Sequence, residues 1–135
     1  MIGDAYRAGL ASNSFDVVFI NSVLHHLEVK SALQEITRIL NPRGELCLIE
    51  PTDSLVRRFL DWITLSNAYW LFQLIPFIRF RRKALEEEWT TYRTWLHNEG
   101  NFLRVLQNAG FTILFVRRSL LSLIVKCRYD GAIQK

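Results

Sequence analysis

Two adjacent histidines, His25 and His26, are the residues of this 135-residue chain whose type most directly invites acid–base or metal chemistry. An imidazole changes charge near neutral pH and binds metal ions through either ring nitrogen. Consecutive residues on a helix or turn point in different directions, however, so the pair is poorly placed to grip one ion, and no metal is expected. The two remain candidates for a general base, beside the plainer reading that they shape a turn. His97 reads as a helix-entry or surface residue. Cys47 and Cys127 lie far apart, each inside an apolar run, which suits neither a metal pair nor a disulfide. Buried free thiols in a reducing compartment are the expectation.

Chemistry of this kind needs elements to hold it. The run Phe15-Asp16-Val17-Val18-Phe19-Ile20 is β-branched and aromatic almost throughout. It alternates too little for a one-sided sheet, and predicts a central parallel strand buried on both faces. Val29, Ala32, Leu33, Ile36, Ile39 and Leu40 then recur at helical spacing, with charges on the other side, until Asn41-Pro42-Arg43-Gly44 stops the helix. Glu45-Leu46-Cys47-Leu48-Ile49-Glu50 is a second short strand closed by Pro51. Strand, helix, strand in this order gives a right-handed parallel unit and an open α/β sheet. Ligands of such sheets bind beyond the C-terminal strand ends, which puts Asn21, Ser22 and Glu50-Pro51 at the rim of a cleft.

Near the other end, Phe102, Leu103, Leu106 and Ala109 form one face of a helix that Gly110 can cap. Phe111 to Val116 and Ser122 to Cys127 then read as strands. The few residues between them, Arg117 to Leu121, cannot make a helical crossover, so the two should form an antiparallel hairpin. Half the residues are hydrophobic and 22% are charged, as in a folded domain rather than a disordered or fibrous chain. The net charge of +4 is modest, and the arginines occur in short separate pairs with no nucleic-acid tract among them. The N-terminus has neither the basic flank nor the apolar core of a signal peptide, so a cytoplasmic location is expected.

Gly3-Asp4-Ala5, Ser14-Phe15-Asp16-Val17-Val18, Leu24-His25-His26-Leu27 and Leu40-Asn41-Pro42-Arg43-Gly44-Glu45-Leu46 succeed one another in an order that resembles class I S-adenosylmethionine-dependent methyltransferases. The likeness is to the small-molecule type called methyltransferase domain 11, and it resumes at Ala109-Gly110-Phe111 and the closing hairpin. It implies an α/β fold: part of a Rossmann-like methyltransferase sheet, parallel strands ending in an antiparallel hairpin, with helices on the faces. It also implies S-adenosylmethionine as cofactor. In the family the aspartate matched by Asp4 accepts a hydrogen bond from the adenine amino group, and the backbone amide matched by Ala5 faces the ring. Asn21 and Ser22 match the end of the fourth strand, beside the methionine part of the cofactor, and Leu24 and His25 fall where the pocket wall is expected. Methyl transfer from a sulfonium needs chiefly alignment and exclusion of water, and needs a base only if the nucleophile arrives protonated.

Between Asp53 and about Arg93 lies an aromatic segment that looks inserted. Val56, Phe59, Leu60 and Ile63 fall on one side of a helix, with Arg57, Asp61 and Thr64 on the other; Ala68 to Ile78 is apolar nearly all round. Four readings compete: a lid over a hydrophobic substrate, an interfacial helix whose arginines meet lipid phosphates, a packing element, and a membrane span that Asp61, Asn67, Gln73 and Pro76 argue against. Glu50, Trp62, Tyr69 and Trp70 are the candidate substrate contacts. The expected division is a core half at 1–52, the insertion at 53–96, and the last helix and hairpin at 97–135.

The family's glycine-rich turn and its second-strand acidic residue have no counterpart among the six glycines here. The expectation is therefore a truncated chain, weak or inactive alone, whose Phe15 to Ile20 strand is an open edge prone to self-association. Two function classes stay open. One is a methyltransferase, or part of one, acting on a small hydrophobic acceptor; the other is a non-catalytic methyltransferase-like subunit that uses its open edge and aromatic segment for a partner or, peripherally, a membrane.

Overall fold

The computed structural model describes residues 5–66, 70 and 75–131, and of residues 84, 87 and 88 the backbone alone. Strand β1 (Phe15–Asn21) leads through a single 3-10 turn (Leu24–His26) into helix α1 (Val29–Ile39), and the chain returns in β2 (Leu40–Pro51). Helices α2 (Leu55–Leu65) and α3 (Pro76–Asn108) follow, then β3 (Phe111–Arg118) and β4 (Ser122–Tyr129). The strands lie in the order β1-β2-β4-β3, with β1 parallel to β2 and β4 antiparallel to both of its neighbours. The parallel unit and the antiparallel hairpin are thus both present. The sequence gives no hint that β4 inserts between β2 and β3.

Local chemistry explains where α1 begins and ends. The Glu28 carboxylate caps it, accepting from the Lys30 and Ser31 amides at 3.1 and 2.6 Å. Pro42 has no N–H to continue the helix, and Arg43, at φ 68°, turns the chain into the sheet. The pairing jumps from Phe15 with Leu40 to Val17 with Glu45, so the turn residues bulge out of the ladder.

Strand alternation decides which sheet face is filled. Leu46, Leu48 and Glu50 on β2 lie opposite Cys127, Val125 and Leu123 on β4, and all six are buried. Leu33 and Ile36 of α1 and Trp95, Phe102 and Leu106 of α3 cover them as one core. Each fully buried leucine there contributes about 1.5–3 kcal/mol. The opposite face carries the row Phe19, Cys47, Lys126 and Phe115, in which Phe19 and Phe115 remain 61% and 51% exposed. This corrects the expectation that β1 is buried on both faces. Only Val18 and Ile20 pack against the core, and β1 is an edge strand among the described residues. Of the two cysteines, both free, Cys127 is buried and Cys47 half-buried.

Helix α2 is amphipathic as expected, and it is the polar side that turns inward, joined by Ile63 from the apolar side. Arg57, Asp61 and Thr64 are buried with Ile63, while Val56, Phe59 and Trp62 face outward. The reason lies in α3. Tyr92 accepts from Arg57 at 2.7 Å, and Arg81 pairs with Asp61, so the polar side of α2 finds partners against another helix. Helix α3 also ties down the end of β2: Trp95 Nε1 donates to Pro51 O at 2.8 Å, and the Glu99 carboxylate accepts from Thr52 Oγ1 at 3.0 Å and from the Asp53 amide at 2.8 Å. No helix among the described residues is long and apolar enough to cross a membrane. Most of the apolar stretch from Ala68 to Ile78 lies outside those residues.

The segment before β1 is held by one acid. Glu35 accepts from the Ala8 amide at 2.8 Å and from Arg38 Nε and a terminal guanidinium nitrogen at 2.8 and 2.7 Å, and Arg38 reaches on to Leu10 O and Ser12 Oγ. Arg38 first, and then the Ala8 amide, hold the Glu35 carboxyl down at about 2. A depressed carboxylate stabilises fully above its unfolded value, roughly 4.3, and the contribution is lost as pH falls through the folded value. Protection of the Ala8 amide, relative to the intrinsic exchange rate at each pH, is therefore expected to fall between about pH 4.3 and 2. Glu35→Ala, which removes the acceptor, should already have lost this protection at neutral pH; equal protection in the two proteins would refute the tether.

Candidate active site

The C-terminal end of β1 is shaped by a strained residue and a buried carboxylate. Ser22 has φ 54°, and its amide donates to Ile49 O at 2.7 Å. A non-glycine residue in this left-handed region costs roughly 1–2 kcal/mol, and such residues concentrate at functional positions. Just beyond it, Glu50 Oε1 accepts from the Val23 and Leu24 amides at 3.0 and 2.8 Å, and Glu50 Oε2 lies 2.8 Å from His25 Nδ1. The contact engages Nδ1, so Nε2 is the ring nitrogen that Glu50 does not engage. Glu50, at the end of β2, is 1% exposed. Its side chain is thus spent on positioning the turn, where the sequence suggested a substrate contact.

Segment 21–25 contributes to three cavities, the smallest of which, about 210 Å³, lies between Leu24, His25 and the Thr90 to Asn98 stretch of α3; the other two gather the candidate residues. One, of about 270 Å³, is bounded by Ala5, Phe19, Asn21, Val23 and Leu24, with Ile36 of α1 at its base. The other, of about 340 Å³, is bounded by Ser22 and His25 on the sheet side and by Arg57, Phe77, Arg81 and Tyr92 from α2 and α3. The second lies beyond the strand ends, where an open α/β sheet places its ligands, and the first runs from there alongside the last residues of β1 and the Ala32 to Ile36 flank of α1. A wider hollow of about 540 Å³ is walled only by the flanks of α1 and α3 and shares none of these residues.

The structure thus gathers Ala5, Asn21 and Leu24 around one cavity and Ser22 and His25 around the next. Asp4 and Tyr69 lie outside the described residues. Trp62 and Trp70 are 59% and 66% exposed and line neither cavity; Trp62 instead stacks on Phe59 with ring centroids 6.1 Å apart. The His26 ring lies 3.8 Å from that of His25, and no group of three metal-ligating side chains occurs among the described residues. Arg57, Arg81, Tyr92, Phe77 and Phe80 are the wall residues that sequence reasoning missed. Arg57 and Asp61 were legible as a polar helix face, but nothing local said that the face turns inward.

That wall is polar where it is deepest. Arg57 is 8% exposed. Its guanidinium donates to Tyr92 Oη and to Leu121 O, and the Tyr92 hydroxyl lies 3.5 Å from Asp61 Oδ2. The Tyr92 ring meets that of His25 edge-on at 6.2 Å, so the inward face of α2 and the histidine turn share one chamber. Such a chamber can hold a small molecule against His25.

The comparisons with known proteins agree with this architecture. The methyltransferase domain family matches residues 1–48, from the N-terminus into β2, and so takes in the 3-10 turn and the strand end described above. Over the whole chain the fold is the Rossmann-like methyltransferase sheet in part. A S-adenosylmethionine-dependent methyltransferase from Aquifex aeolicus superposes with a TM-score of 0.58 at 15% identity, covering 96% of this chain and 53% of its own. The CurJ carbon methyltransferase gives 0.60 at 22% identity, with 95% and 34% covered. The cyclase SpnF gives 0.58 at 15% identity, with 98% and 56% covered. The chain therefore spans about half the length of the Aquifex enzyme and a third of CurJ. No curated protein matches it by sequence.

Proposed function

We propose that the chain is part of a S-adenosylmethionine-dependent methyltransferase acting on a small acceptor with an apolar body. The observation that carries the reading is the coincidence of the matched residues 1–48 with the strained strand end and its paired cavities. Asp4, Ala5, Asn21, Ser22 and Leu24 would hold the cofactor, whose contribution when bound is an electrophilic methyl group. The first cavity suits this role, with Asn21 offering an amide on its rim and Leu24 an apolar floor. The second cavity would hold the acceptor, with Phe77 and Phe80 for its apolar body. His25 Nε2, aligned through Glu50, is the group that could take a proton from it.

Titration with S-adenosylhomocysteine, followed through backbone amide shifts, tests the reading. We expect shifts centred on Asn21, Ser22 and Leu24 with weak affinity, near a Kd of ~1 mM, or about −4 kcal/mol. Shifts confined to another region, or none at saturating ligand, would sink the cofactor assignment.

A second reading is favoured by the outward faces. Leu55, Phe59 and Trp62 of α2, with Trp70 beyond it, and Phe19 and Phe115 on the uncovered sheet face make apolar surface that a partner or a second copy of the chain could cover. On this view the chain is a methyltransferase-like interaction subunit, peripheral to a membrane or bound to a protein. The occurrence of the same fold in the cyclase SpnF fits the view that this architecture need not imply methyl transfer.

A further inference from the structure

We infer that the cavity between the histidine turn and helices α2 and α3 is an anion site, and that its ligand carries a carboxylate or similar acid on an apolar or aromatic body. The argument begins with Arg57. The residue is 8% exposed, and the two amino groups of its guanidinium are met by neutral oxygens, Tyr92 Oη at 2.7 Å and Leu121 O. No carboxylate among the described residues lies within ion-pair distance of it. Asp53 accepts from Arg58, and Asp61 accepts from Arg81. A buried guanidinium whose direct partners are all neutral is costly, because it has left water while Asp53 acts on it only at longer range and Asp61 only through Tyr92.

Unused donors point the same way. Among the described residues, the buried Nε atoms of Arg57 and Arg81 have no hydrogen-bond partner. Both arginines line the same cavity of about 340 Å³, and no carboxylate is among the described residues of its wall; Asp61, which pairs with Arg81, and Glu50, which meets His25, lie behind it. Apart from Ser22 and His25, its remaining wall is aromatic or apolar, with Phe77, Phe80, Leu85 and Tyr92. A planar acid suits the fork of a guanidinium, and a ring or short alkyl body suits those side chains. The site would thus fix the acid end of the molecule and leave the rest toward Ser22 and His25.

As the specificity of a methyl acceptor, this inference rests on the methyltransferase reading; as an anion site it does not. The test uses the full chain without cofactor, titrated calorimetrically with 3-phenylpropionate and with its neutral amide. The wild type should bind the acid at least tenfold more tightly than the amide. Arg57→Met should abolish the preference while unfolding at the same or a higher denaturant concentration, since the variant loses a buried charge whose direct partners are neutral. Arg57→Lys, which keeps the charge, should retain part of the preference and serves if the methionine variant does not fold. Equal affinity for acid and amide, no saturable binding of the acid, or a preference surviving in Arg57→Met would each overturn the inference. The S-adenosylhomocysteine titration reports separately: if it fails while the preference for acid persists, the anion site stands and the methyltransferase reading falls.

Discussion

Glu50→Ala is expected to lower the unfolding free energy by about 3–5 kcal/mol, the usual cost of removing one partner from a buried charged network. Three groups depend on this carboxylate: the Val23 and Leu24 amides and His25 Nδ1. Water cannot replace it easily, since Glu50 is 1% exposed and Leu24 is fully buried. Glu50→Gln keeps an acceptor for the two amides and should lose considerably less. The damage should also be local, with the amide resonances of 22–27 moving before those of the hairpin. A variant within about 1 kcal/mol of the wild type in a urea titration would show that the turn holds itself and that Glu50 is dispensable to it.

Gly110→Ala should cost about 3 kcal/mol or more, for two additive reasons. Gly110 has φ +90°, which a side chain disfavours, and a Cβ there would lie 2.5 Å from Gly131 O, a backbone atom that cannot rotate away. The residue joins the end of α3 to β3, and its carbonyl accepts from the Asp130 amide at 3.0 Å, so the distortion would reach both β3 and the end of β4. Gly9 provides the control. It also has a positive φ, +66°, but a Cβ there meets nothing within 4 Å, so Gly9→Ala should show only the conformational cost of about 1 kcal/mol. Equal midpoints for the two variants in urea would contradict the clash.

How much of this was readable follows from which interactions are local. The β1, α1, β2 unit could be read because its signals lie within a few residues: the run from Phe15 to Ile20, the stripe from Ala32 to Ile39, and the turn at Asn41 to Gly44. The hairpin was readable from its short connection. The orientation of α2 was not, because amphipathic spacing tells which residues share a face and not which face is inside. That choice rests on Tyr92 and Arg81, respectively 35 residues beyond Arg57 and 20 beyond Asp61. The same remoteness hid the second cavity, whose wall comes from helices far along the chain. Glu50 was correctly seen at the end of its strand, but its proximity to residues 23–25 exists only once β1 and β2 pair. The openness of β1 followed from the resemblance, in which its other neighbour is a strand with no counterpart here.

The position of β4 has a consequence for the order in which the sheet can form. The strand contributes the side chains that complete the core, yet it enters between β2 and β3 and pairs Leu46 with Cys127, 81 residues away. During synthesis, β1, α1 and β2 would leave the ribosome as a two-stranded ribbon long before Ser122 to Tyr129 emerge. Contacts so distant in the chain form late, since a long loop must close before they repay its entropy. Until then β2 keeps a bare edge, with Leu46 and Leu48 awaiting their partners. The nascent chain should therefore pass through a period of exposure to chaperones and to mispairing that its folded topology conceals.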